Sequence, residues 1–251
     1  MAKKLKLEAR RKTILDTLQQ TGKVSVAELS KQLDTTPITI RSDLNALAQD
    51  GLLIRVQGGA VSAPNAKSAA NVQTANYMEK KAIAETVAEL IQDGDTLFIN
   101  SGTTMEQVAS ALEVRANLNI VTNSLSVATI LGEIPSFRVI LLGGEINSQY
   151  GFTHGGDALA QLEKYIANWA ILSVDGVNVS CGLTTCHAEE AIIDRAMISN
   201  ARKTLVAADH TKIGKAGFAR VCDKLDNIHI VTNSTETEEL VKNHITVITV
   251  E

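Results

Sequence analysis

The sequence predicts an α/β protein in two parts: a small helical N-terminal head that ends in a β-hairpin and, beyond a linker, a larger Rossmann-like α/β domain. Three observations carry this expectation. Apolar residues recur at helical spacing through the first 50 positions, with Gly22, Asp34 and Gly51 as breakers. Residues 62–76, SAPNAKSAANVQTAN, are small and polar with one proline and no periodicity, the composition of a connector. From Tyr77 onward helical stretches alternate with short apolar runs, the pattern of a largely parallel sheet covered on both faces. The expected division is therefore 1–61, a linker over 62–76, and 77–251.

Composition narrows the class. At 251 residues and 45% apolar content the chain can bury one sizeable core and a smaller one. No run approaches the roughly 18 to 20 apolar residues of a membrane span, and no apolar segment follows Lys3, Lys4 and Lys6 as a secretory signal requires. A soluble, cytoplasmic protein with no membrane partner is expected. Cys181, Cys186 and Cys222 are an odd number without a CxxC, which points to reduced structural thiols rather than a disulfide frame or zinc. The net charge of −4 hides an asymmetry: residues 1–60 hold 10 Lys and Arg against 6 Asp and Glu, the remainder 14 against 22. Six of those ten basic residues fall in the first twelve positions, a basic end on an acidic body, as nucleic-acid binding at one end requires.

In the head, residues 9–20 read as a helix through Ile14, Leu15 and Leu18, ended by Gly22. Ser25-Val26-Ala27-Glu28 has the form of a capping box, hydroxyl and carboxylate each satisfying one orphan N–H, and opens a short helix through Leu29 and Leu33. Asp34 and Thr35 turn the chain into a third helix. There Thr35 or Thr36 caps, and Pro37 takes the first helical position, where its missing N–H costs nothing. Ile40, Leu44 and Leu47 form one apolar stripe. The opposite face carries Ile38, Arg41, Ser42 and Asn45, with Thr39 at its edge: short side chains, a guanidinium and an amide that reach base edges and phosphates without holding the helix out of a groove. Gly51 stops this helix, residues 52–56 form a strand, and Gln57-Gly58-Gly59 turns it back, making a wing. Helix, turn, helix and wing have the spacing of a DNA-reading module, with double-stranded DNA as partner and Thr36, Pro37, Ile38, Thr39, Arg41, Ser42, Asn45, Arg55 and Gln57 as candidate contacts. Periodicity alone leaves an ordinary three-helix bundle open.

In the second part residues 81–91 are helical, and Asp93-Gly94-Asp95 turns into a strand over 96–99. Further strands are expected at 120–122, 138–142, 170–174, 204–207, 228–232 and 246–250. Ligands of such sheets bind outside the carboxyl ends of the strands. The strand-end sequences share a character: Asn100-Ser101-Gly102-Thr103-Thr104, Thr122-Asn123-Ser124, Gly143-Gly144, Asp175-Gly176 and Asp209-His210-Thr211-Lys212. The first is the strongest, because a strand, a Ser-Gly-Thr-Thr turn and a helix N-terminus present N–H groups, hydroxyls and a positive dipole end to an anion. It reads as a phosphate cradle with Lys212 closing the far side, in a pocket for a phosphorylated polyol. Each such turn alone is also an ordinary way to leave a strand.

The runs TIRSDLNAL and DGLLIRVQGGAV resemble the N-terminal signature of the DeoR family of bacterial repressors, in which Thr-Ile-Arg-Arg-Asp-Leu and a Gly-Leu-Leu-x-Arg-x-His-Gly-Gly-Ala wing are usual. Ser42 and Gln57 depart from that pattern, which bears on operator preference. The second part resembles that family's sugar-binding domain, similar in fold to ribose-5-phosphate isomerase, on Asp93-Gly94-Asp95, Ser101-Gly102-Thr103-Thr104, Thr122-Asn123-Ser124, Gly143-Gly144, Gly182-Leu183-Thr184-Thr185 and Asp209-His210-Thr211-Lys212. The resemblance implies a repressor of a carbohydrate-catabolic operon, controlled by a phosphorylated sugar and working as a homodimer or homotetramer on repeated half-sites. The rival is an active isomerase. Where the isomerases carry acid/base carboxylates and a lysine, this chain has Asp175-Gly176-Val177-Asn178-Val179 and Cys181; neither Asn178 nor Cys181 can do that proton work. Asp175 and Glu190 remain as hydrogen-bonding contacts for sugar hydroxyls. No catalytic residue, cofactor or metal is expected. Trp169 reads as core, and His187 beside Cys186 as a helix start rather than a thiol activator.

Overall fold

The computed structural model describes residues 2–49, 53–56, 58–61 and 77–250, in two compact units, Met1–Ala75 and Asn76–Glu251. Gly51, Leu52, Gln57 and the expected linker 62–76 lie outside the described residues.

The first unit runs α1 (Ala2–Thr21), β1 (Lys23–Ser25), α2 (Val26–Gln32), α3 (Pro37–Gln49), β2 (Ile54–Val56) and β3 (Gly59–Val61). Its core joins Ile14 and Leu18 of α1, Leu29 of α2 and the α3 stripe Ile40, Leu44 and Leu47 with Leu53 and Ala60; each of the buried leucines and isoleucines contributes about 1.5–3 kcal/mol. The expected wing forms, with β2 antiparallel to β3. Two features depart from expectation. The first helix begins at Ala2, seven residues earlier, and β1, unforeseen, makes the wing a three-stranded sheet in the order β1-β3-β2. Close approach of β1 explains Gly59: a Cβ there would sit 2.0 Å from the Val24 carbonyl oxygen. The capping box is half made. Ser25 Oγ accepts from the Glu28 N–H at 3.2 Å, but the Glu28 carboxylate accepts the Ser25 hydroxyl at 2.7 Å instead of a backbone N–H.

The second unit is built on seven parallel strands: β4 (Thr96–Ile99), β5 (Asn119–Thr122), β6 (Arg138–Leu141), β9 (Ala167–Leu172), β12 (Ala201–Ala207), β14 (Ile228–Thr232) and β15 (Thr246–Thr249). Their order is β15-β14-β12-β9-β4-β5-β6. From β4 the chain adds strands in one direction, and from β9 in the other, so the sheet reverses between β4 and β9. Alternate side chains enter opposite cores. Leu97 and Ile99 pack with Ile83 and Val87 of α4 (Tyr77–Leu90), Met105 and Val108 of α5 (Thr103–Ala111), and Val127 and Leu131 of α6 (Leu125–Gly132). Phe98 packs the other way, with Ala158 and Leu162 of α7 (Gly156–Leu162) and Ile193 and Met197 of α8 (Ala188–Ser199).

Helices do not cover all of that second face. Val206, Ile228 and Ile230 pack instead on Val177, Leu183 and Val221 of a small antiparallel sheet, β10 (Gly176–Asn178), β11 (Gly182–Thr185) and β13 (Ala219–Cys222), and on Leu240 of α9 (Glu238–Lys242). A hairpin, β7 (Glu145–Asn147) with β8 (Phe152–His154), completes the unit. The strand expected at 170–174 lies three residues earlier in β9, so Trp169 sits within it; its half-buried ring carries Lys203 Nζ 5.0 Å from the centroid and meets His229 edge-on.

Candidate functional site

In the first unit, Thr36 caps α3: its hydroxyl accepts from the Thr39 N–H at 3.2 Å and lies 2.9 Å from the Thr39 hydroxyl. Pro37 follows at the first helical position. Ile38, 75% exposed, with Arg41, Ser42 and Asn45 forms the solvent face, and Thr39 is half-buried at its edge. Arg55 falls in β2, its side chain outside what is described. One residue escaped the sequence reading. Asp43, on the buried side of α3, takes Arg10 Nε at 2.5 Å and Arg11 Nε at 3.4 Å. Two of the basic residues counted toward the electrostatic footprint therefore also bind α1 to α3; the signal was Asp43 lying beside Ile40, Leu44 and Leu47.

In the second unit the chemistry gathers at the switch point, where β4 and β9 end. Asn100 is fully buried; its amide donates to Ser173 O at 3.0 Å and to Asp194 Oδ1 at 3.1 Å and accepts from Ser173 N at 2.9 Å. It stitches β4 to β9. Gly102 has φ +121°, and a Cβ there would lie 2.6 Å from Ser173 Oγ, so only glycine lets the turn hug β9. No side chain caps α5, so its first N–H groups have no side-chain acceptor from the cap position. Around that helix start, Ser101 Oγ donates to Glu190 Oε1 at 3.0 Å, and Thr103 Oγ1 accepts from Lys80 Nζ at 3.0 Å. Thr104 is buried within the first turn. Thr185 Oγ1 bridges Glu190 Oε2 at 2.5 Å and Asp175 Oδ2 at 3.2 Å, and Asp175 Oδ1 accepts from Lys212 Nζ at 3.2 Å.

Other candidate contacts also make bonds or close approaches within the protein. Thr122, Asn123 and Ser124 are buried: Thr122 Oγ1 accepts from Ser124 N, Asn123 Nδ2 donates to Thr153 O, and Ser124 caps α6 through Val127 N. Gly143 N donates to Gln161 Oε1, and a Cβ on Gly144 would meet the His154 carbonyl at 2.4 Å. Gly176 has the same kind of packing duty against Lys215 O. Asn178 shapes the β10–β11 turn, its Oδ1 accepting from Ser180 N at 2.8 Å and Cys181 N at 3.2 Å. Lys80 was missed because α4 begins at Tyr77, four residues before the expected start; Lys80 is one turn ahead of buried Ile83 and therefore points inward.

Burial and neighbouring charges shift several ionisable groups here. Burial pushes the Lys80 ammonium below its usual range; Asp209 opposes this and neighbouring Lys212 adds to it. Burial also raises Glu190, against hydrogen bonds from Thr185 and Ser101, and raises Asp194 strongly, with the nearby Glu190 carboxylate contributing. Asp175 is driven up by burial, but hydrogen bonds from Cys186 and Lys212 outweigh that and hold it low. The Cys186 thiol, donating to Asp175, is raised and not activated. A separate groove of about 390 Å³, lined by Val177, Ile213, Leu240, Glu236, Glu238 and Glu239, offers carboxylates and no ammonium, so it does not suit an anion. Among the described residues no cluster of His, Cys, Asp and Glu has the makings of a metal site, and no helix is long and apolar enough to cross a membrane.

Comparison with known proteins decides the family. The profile of the DeoR-like helix-turn-helix domain matches residues 10–65, and that of the DeoR C terminal sensor domain matches residues 75–234. The chain belongs to the DeoR family. It is 37% identical over 213 residues to the glycerol-3-phosphate regulon repressor of Escherichia coli K12, covering 84% of each chain. Over 201 residues it is 37% identical to the HTH-type transcriptional repressor CsqR of the same organism, covering 79% of this chain and 77% of that one. A solved ribose 5-phosphate isomerase A from Methanocaldococcus jannaschii aligns over 55% of each chain at 15% identity and a TM-score of 0.42. As a DeoR family member the protein is a DNA-binding transcriptional regulator.

Proposed function

We propose that this DeoR family protein represses a carbohydrate-catabolic operon and releases its operator when a phosphorylated sugar or polyol occupies the switch-point site. The observation that carries the reading is the start of α5, without a side-chain cap, with Lys80 Nζ 3.0 Å from Thr103 Oγ1, and a second ammonium, Lys212, paired with Asp175. Helix N–H groups, two ammoniums and hydroxyls form a place for a phosphate dianion, and the carboxylates of Asp175 and Glu190 accept hydrogen bonds from ligand hydroxyls. The name of the glycerol-3-phosphate regulon repressor supports an effector of this class.

Residues 1–61 act as the reading head, with Thr36, Pro37, Ile38, Thr39, Arg41, Ser42, Asn45, Arg55 and Gln57 toward DNA; 62–76 is the linker and 77–251 the effector domain. The protein works in the cytoplasm as a homodimer or homotetramer, because repeated half-sites about one or more helical turns apart call for paired heads. The test is a titration of full-length protein on DNA fragments that it selects from its own genome, in the presence of phosphorylated sugars and their unphosphorylated parents. One phosphorylated compound should shift occupancy about 5- to 150-fold, the range of an ordinary allosteric coupling. Equal action by the parent, or no response to any phosphorylated compound, defeats the reading.

A further inference from the structure

The first turn of α4 touches the ligand site twice. Lys80 reaches the start of α5 through Thr103 Oγ1, and its neighbour Glu79 places Oε2 2.9 Å from His210 Nδ1. His210 opens the 3-10 turn His210–Lys212, so the same turn presents Lys212 to Asp175; its backbone N–H is fixed by Asn233 Oδ1 at 2.8 Å. Successive residues of one helix turn thus tie to the start of α5 and to the 3-10 turn that carries Lys212.

That turn has little else to hold it. Tyr77 and Met78 are exposed, Met78 at 72%, and the buried stripe of α4 starts only at Ile83. A half-exposed imidazole–carboxylate hydrogen bond and a single ammonium–hydroxyl bond are both weak ties beside solvent, so their rearrangement lies within the reach of a ligand. An arriving phosphate competes with Thr103 Oγ1 for the Lys80 ammonium. Directly upstream in the chain lie residues 62–76 and then the DNA-reading head.

We infer that the first turn of α4 is the output of the site: ligand binding resets the hold on Glu79 and Lys80, and the change passes along the chain to the head, with Glu79 and His210 as coupling residues that do not touch the ligand. This rests on the phosphorylated-ligand reading above.

The experiment measures two quantities on the full chain: affinity for glycerol 3-phosphate or, from a panel, the phosphorylated sugar the unaltered protein binds, and the ratio of operator affinities without and with it. Glu79→Ala should keep ligand affinity within about threefold while the operator ratio collapses toward 1. His210→Phe, which breaks the clasp from the other side by removing the ring nitrogens, should do the same, and Glu79→Asp should restore part of the ratio. Lys80→Met should lose ligand affinity itself. Glu79→Ala or His210→Phe with an unchanged operator ratio overturns the relay, as does a loss of ligand affinity as large as that of Lys80→Met. Failure of the unaltered protein to bind any phosphorylated compound overturns the ligand reading instead, and the relay with it.

Discussion

Asp43 Oδ2 lies 2.5 Å from Arg10 Nε, joining the DNA-reading helix to the first helix through a carboxylate whose side chain is only 3% exposed. With Arg11 on its other oxygen, the pair fixes α3 while its outer face stays clear. Asp43→Ala would leave two guanidiniums side by side without their counter-charge. We expect the first unit to lose about 1–3 kcal/mol, less than for a fully buried pair because both arginines are partly exposed. Denaturant unfolding of the full chain, followed through the loss of helix in the first unit, reads this directly; unchanged stability would show that the pair is ornamental. Operator affinity should fall with it.

Arg41 projects from the exposed face of α3. Arg41→Ala should weaken operator binding by about 1–3 kcal/mol if it reads a base edge, and leave affinity for the phosphorylated ligand unchanged. Binding isotherms for both partners distinguish this from a general loss of fold, which would lower the two together.

Thr103 Oγ1 accepts from the Lys80 ammonium and Lys212 pairs with Asp175, and both are proposed to hold the phosphate. Thr103→Ala or Lys212→Ala should each weaken the ligand about 10- to 150-fold, the worth of one hydrogen bond to a charged group, giving a repressor that holds DNA at ligand concentrations that release the unaltered protein. Normal release by either variant removes the residue from the cradle.

The buried carboxyl of Asp194 titrates above its ordinary value of 3.8 in the folded state, through burial and the neighbouring Glu190. The unfolded chain therefore gives up its proton first as pH rises past about 4, and the folded state loses stability over the interval up to the raised value. Asp194→Asn keeps the oxygen that accepts from Asn100 Nδ2 and removes the titration. Its advantage in thermal midpoint should be near zero below pH 3.8 and grow toward neutrality. A constant offset across that range would contradict the assignment.

Local signals carried far along this chain and stopped where tertiary partners decide. Thr36, Pro37 and the Ile40, Leu44, Leu47 stripe are local physics, and the third helix forms where they say. The seven parallel strands were legible as short apolar runs. In contrast, β1 is three residues long and exists because Lys23 pairs with Val61, a partnership no local pattern announces. The antiparallel strands β10, β11 and β13 were hidden in stretches that resemble loops, and they cover sheet surface that helices were expected to cover. At the site, Asn100 and Thr122 to Ser124 have the composition of ligand contacts, yet tying strand ends together requires the same small polar groups. Lys80 comes from the other direction in sequence, since a helix supplies it to a turn 23 residues away.

The central claim, a phosphate held at the start of α5, is tested most directly by thermal stability of the full chain against matched pairs of phosphorylated and unphosphorylated sugars and polyols, glycerol 3-phosphate and glycerol among them. A ligand at about 100 times its dissociation constant adds about 2.7 kcal/mol to the folded state. The account predicts such a gain with one phosphorylated member, none with its parent, and none for Thr103→Ala at the same concentration. An equal gain from the parent compound, or no gain across the panel, would contradict it.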